Sequence, residues 1–267
     1  MSRITALIVA AASVLGTASI AFADSSTMMM GGGTNNWMAF PTLGGATGGV
    51  GLPNTEVGSE GWTIHGAWQD FGFSEHATIL GLNYASMRGG KNGWEAGAAF
   101  DSISGGGSTE DGWSLHAKYR LAYANPRMHH MGLALGAWYT RFSDSNFSTW
   151  NIYVAGSIPL SRMTNRQAPL LTGGIAWDTV DDFGESIDEL NYFALLEIPL
   201  ENSRSSFVVE WKTRVWDHDA LFSAGFRHRF SNQFGAQIGI TNAEGATQAG
   251  SNESRLFAIA HWTLGSH

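Results

Sequence analysis

The stretch Trp113 to Tyr123, Trp-Ser-Leu-His-Ala-Lys-Tyr-Arg-Leu-Ala-Tyr, sets the terms for the whole chain. Trp113, Leu115, Ala117, Tyr119, Leu121 and Tyr123 alternate with Ser114, His116, Lys118 and Arg120. Side chains on a strand point to opposite faces in turn, so one face is apolar with aromatic ends and the other is polar and basic. In a soluble sandwich the apolar face would meet a second sheet. In a transmembrane barrel it would meet lipid, with aromatics at both interfaces and the polar face inward.

The same alternation recurs in about twelve segments, an even number as bacterial single-chain barrels have. They are 62–69, 77–86, 94–102, 113–123, 131–142, 149–158, 170–177, 190–198, 206–216, 221–230, 234–241 and 255–264. Each is close to the ~9–11 residues that a tilted strand needs to cross a bilayer. Apart from 1–23, no stretch holds a helical period. The fold class predicted is all-β: a single up-and-down antiparallel transmembrane barrel of about twelve strands, spanning 61–267. A soluble lectin-like sandwich is the competing architecture.

Composition agrees. Charged residues are 14% of the 267, Gly numbers 34, Trp 11 and Pro 6; soluble domains carry ~25% charge. The net charge of -8 argues against a nucleic-acid partner. There is no Cys, so thiolate chemistry and disulfides are excluded. Residues 1–23 read as a signal peptide: Arg3, an apolar stretch from Ile4 to Ile20, and Ala21-Phe22-Ala23. Residues 24–60 read as a flexible tail and a Gly-rich entry segment.

The entry segment contains Gly45-Ala46-Thr47-Gly48 and then Pro53-Asn54-Thr55-Glu56-Val57. It resembles the entry segment of outer-membrane barrels linked to exopolysaccharide export, where a Gly-x-Thr-Gly turn precedes a Pro-Thr-Ala-Glu-Val-like run. Asn54-Thr55 stand where Thr-Ala is commoner. The resemblance implies a barrel that begins just after it and a saccharide-related role. The Gly-rich run has no Lys in a phosphate-loop arrangement, and the residues leave open whether this segment threads the lumen.

With both termini periplasmic, the odd-numbered connections are external. As read, these hold fifteen acidic residues, including Asp70, Glu75, Glu110, Asp111, Glu244 and Glu253, and no Lys or Arg. The even ones hold Arg88, Lys91, Arg127, Arg162, Arg166 and Arg204 against Glu201. Three odd connections (105–112, 178–189 and 242–253) are read as long loops. The expected location is the cell outer membrane, with its lipid, lipopolysaccharide and assembly machinery as partners. The last aromatic, Trp262, stands five residues inside the end, where such barrels usually finish on an aromatic.

The candidate lumen lining is Glu95, Asp101, His116, Lys118, Arg120, Glu197, Glu210, Lys212, Arg214, Arg227 and Arg229. A basic lining favours anions or acidic saccharides; an internal salt-bridge network is the alternative. The candidate interfacial girdle is Trp62, Trp68, Trp113, Tyr123, Trp150, Trp211 and Trp262. No cofactor is expected. Asp178, Asp181, Asp182, Glu185, Asp188 and Glu189 form a candidate external loop for loosely held Ca²⁺ or Mg²⁺, although the spacing is not that of an EF-hand. His129-His130 and Asp217-His218-Asp219 read as turns.

Function then divides three ways. The first is passage of a small hydrophilic or saccharide solute. The second is a closed barrel acting through acidic loops. The third is a lipid hydrolase, disfavoured because Ser114 and His116 sit at i,i+2 and no Gly-x-Ser-x-Gly elbow exists.

Overall fold

A computed structural model describes residues 52–58, 60–72, 75–86, 93–105, 108–122, 124, 131–142, 148–160, 168–182, 185–200, 204–213, 220–243 and 250–264. The signal-like segment 1–23, the tail 24–51, Tyr123, His129-His130, Arg214 and Asp217-His218-Asp219 lie outside the described residues.

Strands β1 (Gly61–Gly72), β2 (Glu75–Ser86), β3 (Gly93–Gly105), β4 (Ser108–Ala122), β5 (Gly132–Phe142) and β6 (Ser148–Pro159) are followed by six more. These are β7 (Leu170–Asp182), β8 (Glu185–Pro199), β9 (Ser205–Lys212), β10 (Leu221–Arg229), β11 (Phe234–Ala243) and β12 (Gly250–Leu264). Each pairs antiparallel with its sequence neighbours, and β12 returns to β1 to close the barrel. This is the twelve-stranded up-and-down barrel that the period predicts. A sandwich is excluded, because the sheet closes on itself and its apolar face has no second sheet to meet.

The faces follow the alternation. Along β6 every second residue from Thr149 to Pro159 is buried and those between are exposed or half-buried. Leu80, Ile152 and Ile238 are 58–62% exposed on the outside. Glu95, Arg120, Lys212 and Arg227 are 2% exposed or less on the inside. Apolar outside and charged inside reverses the order of a soluble protein and fits a barrel whose outer solvent is lipid.

Aromatic rings gather at two levels. At the near rim, where Gly61 and Leu264 both lie, Tyr84 contacts Trp62 at 5.1 Å and Trp94 at 5.5 Å between ring centroids. At the far rim Tyr139 lies 5.2 Å from Trp113 and 4.6 Å from Trp150. Trp62 and Trp68 both face outward on β1; six residues separate them, about 20 Å along a strand. Trp211 and Trp262 are also exposed on the outer face.

The far-rim connections differ from expectation. The long loops read at 105–112 and 178–189 are strand extensions: β3 and β4 leave only 106–107 between them, and β7 and β8 only 183–184. The third, at 242–253, shortens to 244–249. Ladder pairing does not stop where apolar alternation stops, so Asp181 pairs with Ser186 and Asp182 with Glu185 in register. Acidic residues therefore ride on projecting hairpins. The phase of β7, ambiguous at Leu170-Leu171, resolves with Leu170 inward and Leu171 outward.

The outward face at mid-strand generates a prediction. Ile152→Arg places a charge among lipid tails and should lower stability by about 2–4 kcal/mol. Urea unfolding of the protein refolded into lipid vesicles measures it. A conservative Ile152→Leu control should stay within about 1 kcal/mol.

Candidate functional site

The lumen is built from the inward residues of the twelve strands and from one further piece, residues 52–58. Among the described residues, ion pairs join one stretch of wall to another. Lys118 Nζ lies 3.0 Å from Glu95 Oε1, between residues directly opposite on β4 and β3. Arg227 Nη1 lies 2.7 Å from Glu197 Oε1, and Arg227 Nε donates to Gln237 Oε1 at 2.9 Å. Lys212 Nζ lies 2.8 Å from Asp178 Oδ2. Asp178 also accepts from Asn151 Nδ2 and, at 2.8 Å, from Asn191 Nδ2. These side chains are almost wholly removed from solvent, where charge is tolerable only when paired.

Segment 52–58 supplies a further ion pair. Arg120 Nη1 lies 2.7 Å from Glu56 Oε2. The Leu52 N–H donates to Glu210 Oε2 at 3.1 Å, and the Gly58 N–H donates to Glu95 Oε2 at 2.8 Å. Asn54 Nδ2 donates to Glu197 Oε1 at 3.5 Å, while Asn54 Oδ1 accepts from the Glu56 N–H at 2.9 Å. That last bond is an Asx turn, which folds the segment on itself. Leu52, Asn54 and Thr55 are fully buried, and Glu56 and Val57 nearly so.

The partners of this segment lie on β3, β4, β8 and β9, so it crosses the lumen from wall to wall. Glu95 is the third residue of β3, and Arg120 and Glu197 are each third from the end of their strands. All three mark the near rim. On β5, Gly132 leaves room, since a Cβ there would come within 2.4 Å of Thr55 Oγ1. The chain then turns from the lumen into the wall at Gly61, whose φ of 118° is open to glycine and strained for any other residue.

Of the residues read from sequence as lumen lining, Glu95, His116, Lys118, Arg120, Glu197, Glu210, Lys212 and Arg227 face inward and are buried. Arg229 is half-buried at the end of β10. Asp101 lies in β3 with its side chain outside the described residues, as is Arg214. Among the described residues the lining carries charges of both signs. The buried cations Lys118, Arg120, Lys212 and Arg227 face the buried carboxylates Glu56, Glu95, Asp178, Glu197 and Glu210.

The structure divides the residues of the candidate cation loop between the lumen and the far rim. Asp178 belongs to β7, faces the lumen and is held by Lys212. Asp181, Asp182, Glu185, Asp188 and Glu189 lie on the β7–β8 hairpin, with Asp188 accepting from Thr179 Oγ1 at 2.6 Å. Among the described residues no three His, Asp or Glu are placed to hold a metal ion. Ser114 and His116 both face inward, but among the described residues neither ring nitrogen of His116 has a hydrogen-bond partner, Ser114 included.

Sequence reading missed Glu56, Asp178, His65, Asn83, Trp138 and Tyr153 as lumen residues. The last four were within reach of parity alone. Trp62 and Ile64 outward put His65 inward, and Leu135 and Tyr139 outward put Trp138 inward.

Fold and surface together define a closed twelve-stranded membrane barrel. No family model matches the chain, and no curated protein matches it. Among solved structures the barrel is similar to a KdgM porin, with TM-score 0.53 and 9% identity over 76% of this chain and 99% of that one. It is also similar to a KdgM porin in complex with disordered oligogalacturonate, with TM-score 0.52 and 10% identity over 76% and 99%. At this identity the likeness is one of fold.

The Arg120–Glu56 pair yields a prediction. Arg120→Met strands a buried carboxylate and should cost about 3–5 kcal/mol. Adding Glu56→Gln should recover at least half of that loss. Urea unfolding in lipid vesicles reads both; additive losses would show that the two side chains do not act as a pair.

Proposed function

We propose that the chain is an outer-membrane passage for a small hydrophilic, saccharide-like solute, and that segment 52–58 closes it at the periplasmic mouth. The observation that carries this reading is what fills the lumen. A wall side chain cannot leave, whereas 52–58 is a separate strip, held by hydrogen bonds and one ion pair. It is tethered to the barrel through the glycine at 61.

Three further points support it. A barrel of this size has room for a small channel once the strip is withdrawn. The lumen keeps charged and amide side chains where a permanently filled interior would be more stable packed with apolar ones. One structure of similar fold is a KdgM porin in complex with disordered oligogalacturonate, and the resemblance of the Pro53–Val57 run to export-linked barrels points the same way. Both termini would be periplasmic, with the acidic far-rim hairpins outside, near lipopolysaccharide.

A second reading, a permanently sealed barrel acting through those hairpins, is favoured by the near-complete burial of the ion pairs. Planar-bilayer conductance separates the two. A Glu56→Gln, Asn54→Ala variant loses contacts worth ~1.5–3 kcal/mol for the charged one alone. Its open probability should exceed that of the unaltered protein by about tenfold or more. With Lys118, Arg120, Lys212 and Arg227 matched in number by Glu95, Asp178, Glu197 and Glu210, a salt gradient should give only weak ion selectivity. Silence from inserted protein in both forms would reject passage and leave the sealed barrel.

A further inference from the structure

One group of buried side chains in the lumen takes no part in the ion pairs or in the closing segment. His65 on β1, Asn83 on β2 and His116 on β4 are all 5% exposed or less. Both ring nitrogens of each His, and both amide atoms of Asn83, have no hydrogen-bond partner among the described residues. Buried polar atoms are rarely left so, and a cluster of them calls for an explanation. The phenol oxygen of Tyr153 on β6, also buried, is in the same condition.

The register brings these groups together. Asn83 stands opposite Gly97, Gly97 opposite His116, and His116 opposite Trp138, in one row across β2 to β5. His65 is the diagonal neighbour of Asn83, two places along β1 from Thr63, which is opposite it. Gly97 has no side chain, and the space above it is shared. A Cβ there would lie 1.6 Å from Asn83 Oδ1 and 2.8 Å from His116 Cε1. Trp138 is buried and meets Tyr153 edge-on at 5.9 Å. The row lies one inward position beyond Glu95 and Lys118 towards the far rim, just past the segment that closes the near one.

We infer that His65, Asn83, His116, Trp138 and Tyr153 form a binding site for an uncharged, hydroxyl-bearing sugar unit. The inference rests on the passage reading and names its solute class. Imidazole, amide and phenol groups each offer donor and acceptor atoms in a neutral state, which suits hydroxyls that need both. An aromatic wall beside a few placed polar groups is the usual make-up of a small-molecule site. An acidic sugar would find no spare cation here. Lys118 is engaged by Glu95, and the carboxylate would be buried against neutral groups at a cost.

The test is calorimetry on the mature chain refolded in detergent, with glucose and galactose each set against its uronate. A neutral hexose should bind, and its uronate should bind about tenfold more weakly. Asn83→Ala and His116→Ala should each weaken the neutral sugar about five- to tenfold. His116→Gln, which keeps a donor and an acceptor, should restore part of the loss. Far-ultraviolet circular dichroism on every variant confirms a folded barrel. A uronate that binds as tightly as its neutral partner, no hexose binding, or variants without effect would each overturn the site. Conductance of the Glu56→Gln, Asn54→Ala variant is read separately. Binding without conductance removes the passage and keeps the site; conductance without binding does the reverse.

Discussion

A strand in hydrocarbon finds no water for its N–H and C=O groups, so the closure of β12 on β1 is the condition on which everything else depends. The seam runs in continuous register from Trp62 opposite Leu264 to Gln69 opposite Phe257. Once the sheet is closed there are no edges, and each residue has only two places to point. Lipid takes one and the lumen takes the other. The apolar set goes outward because the outer solvent is apolar, and the polar set is left with an enclosed space that it must neutralise by itself.

That second constraint explains the interior. Twelve strands enclose more volume than their inward side chains fill, and those side chains include Arg120, Lys118, Lys212 and Arg227. Glu95 answers Lys118 from the neighbouring strand, and Asp178 answers Lys212 across β8. Arg120 finds its carboxylate on Glu56, outside the wall altogether. Segment 52–58 thus does two jobs with one set of bonds. It supplies Arg120 with a counter-ion and it crosses the lumen from β3 and β4 to β8 and β9.

Most of the fold was legible in the sequence because the period-2 signal is set by lipid, which imposes one rule along every strand. Twelve segments became twelve strands. What was not legible follows from the same cause. At the far rim the rule lapses, so Asp178 to Glu189 looked like a loop although its ladder continues to Asp182 and resumes at Glu185. The partners of the lumen charges depend on shear and register around the ring, which parity does not contain. Lys118 and Arg120 look like a basic stripe in the sequence because parity places Glu95 in the lumen without pairing it to Lys118, and because the carboxylate of Arg120 lies outside the strands at residue 56. Glu56 was quoted only as part of a family-like run; nothing local in the chain marks it as a counter-ion 64 residues from its partner.

The interior also shows a choice between stability and use. Replacing buried ion pairs by apolar residues of like volume is often neutral or stabilising, and the wall of this barrel accommodates such residues at Val180, Phe193, Leu195 and Phe257. Glu95, Arg120 and Glu197 at the near rim, and Glu210 further into the lumen, nevertheless bind the strip 52–58 through its backbone or polar side chains. Apolar packing there would seal the mouth without a preferred way to reopen it. Hydrogen bonds to a tethered strip can be exchanged for hydrogen bonds to water when the strip leaves, so the charged groups remain satisfied in both states. On the proposed passage, a polar mouth of this kind lets the strip close and open the barrel without leaving a buried charge unpaired.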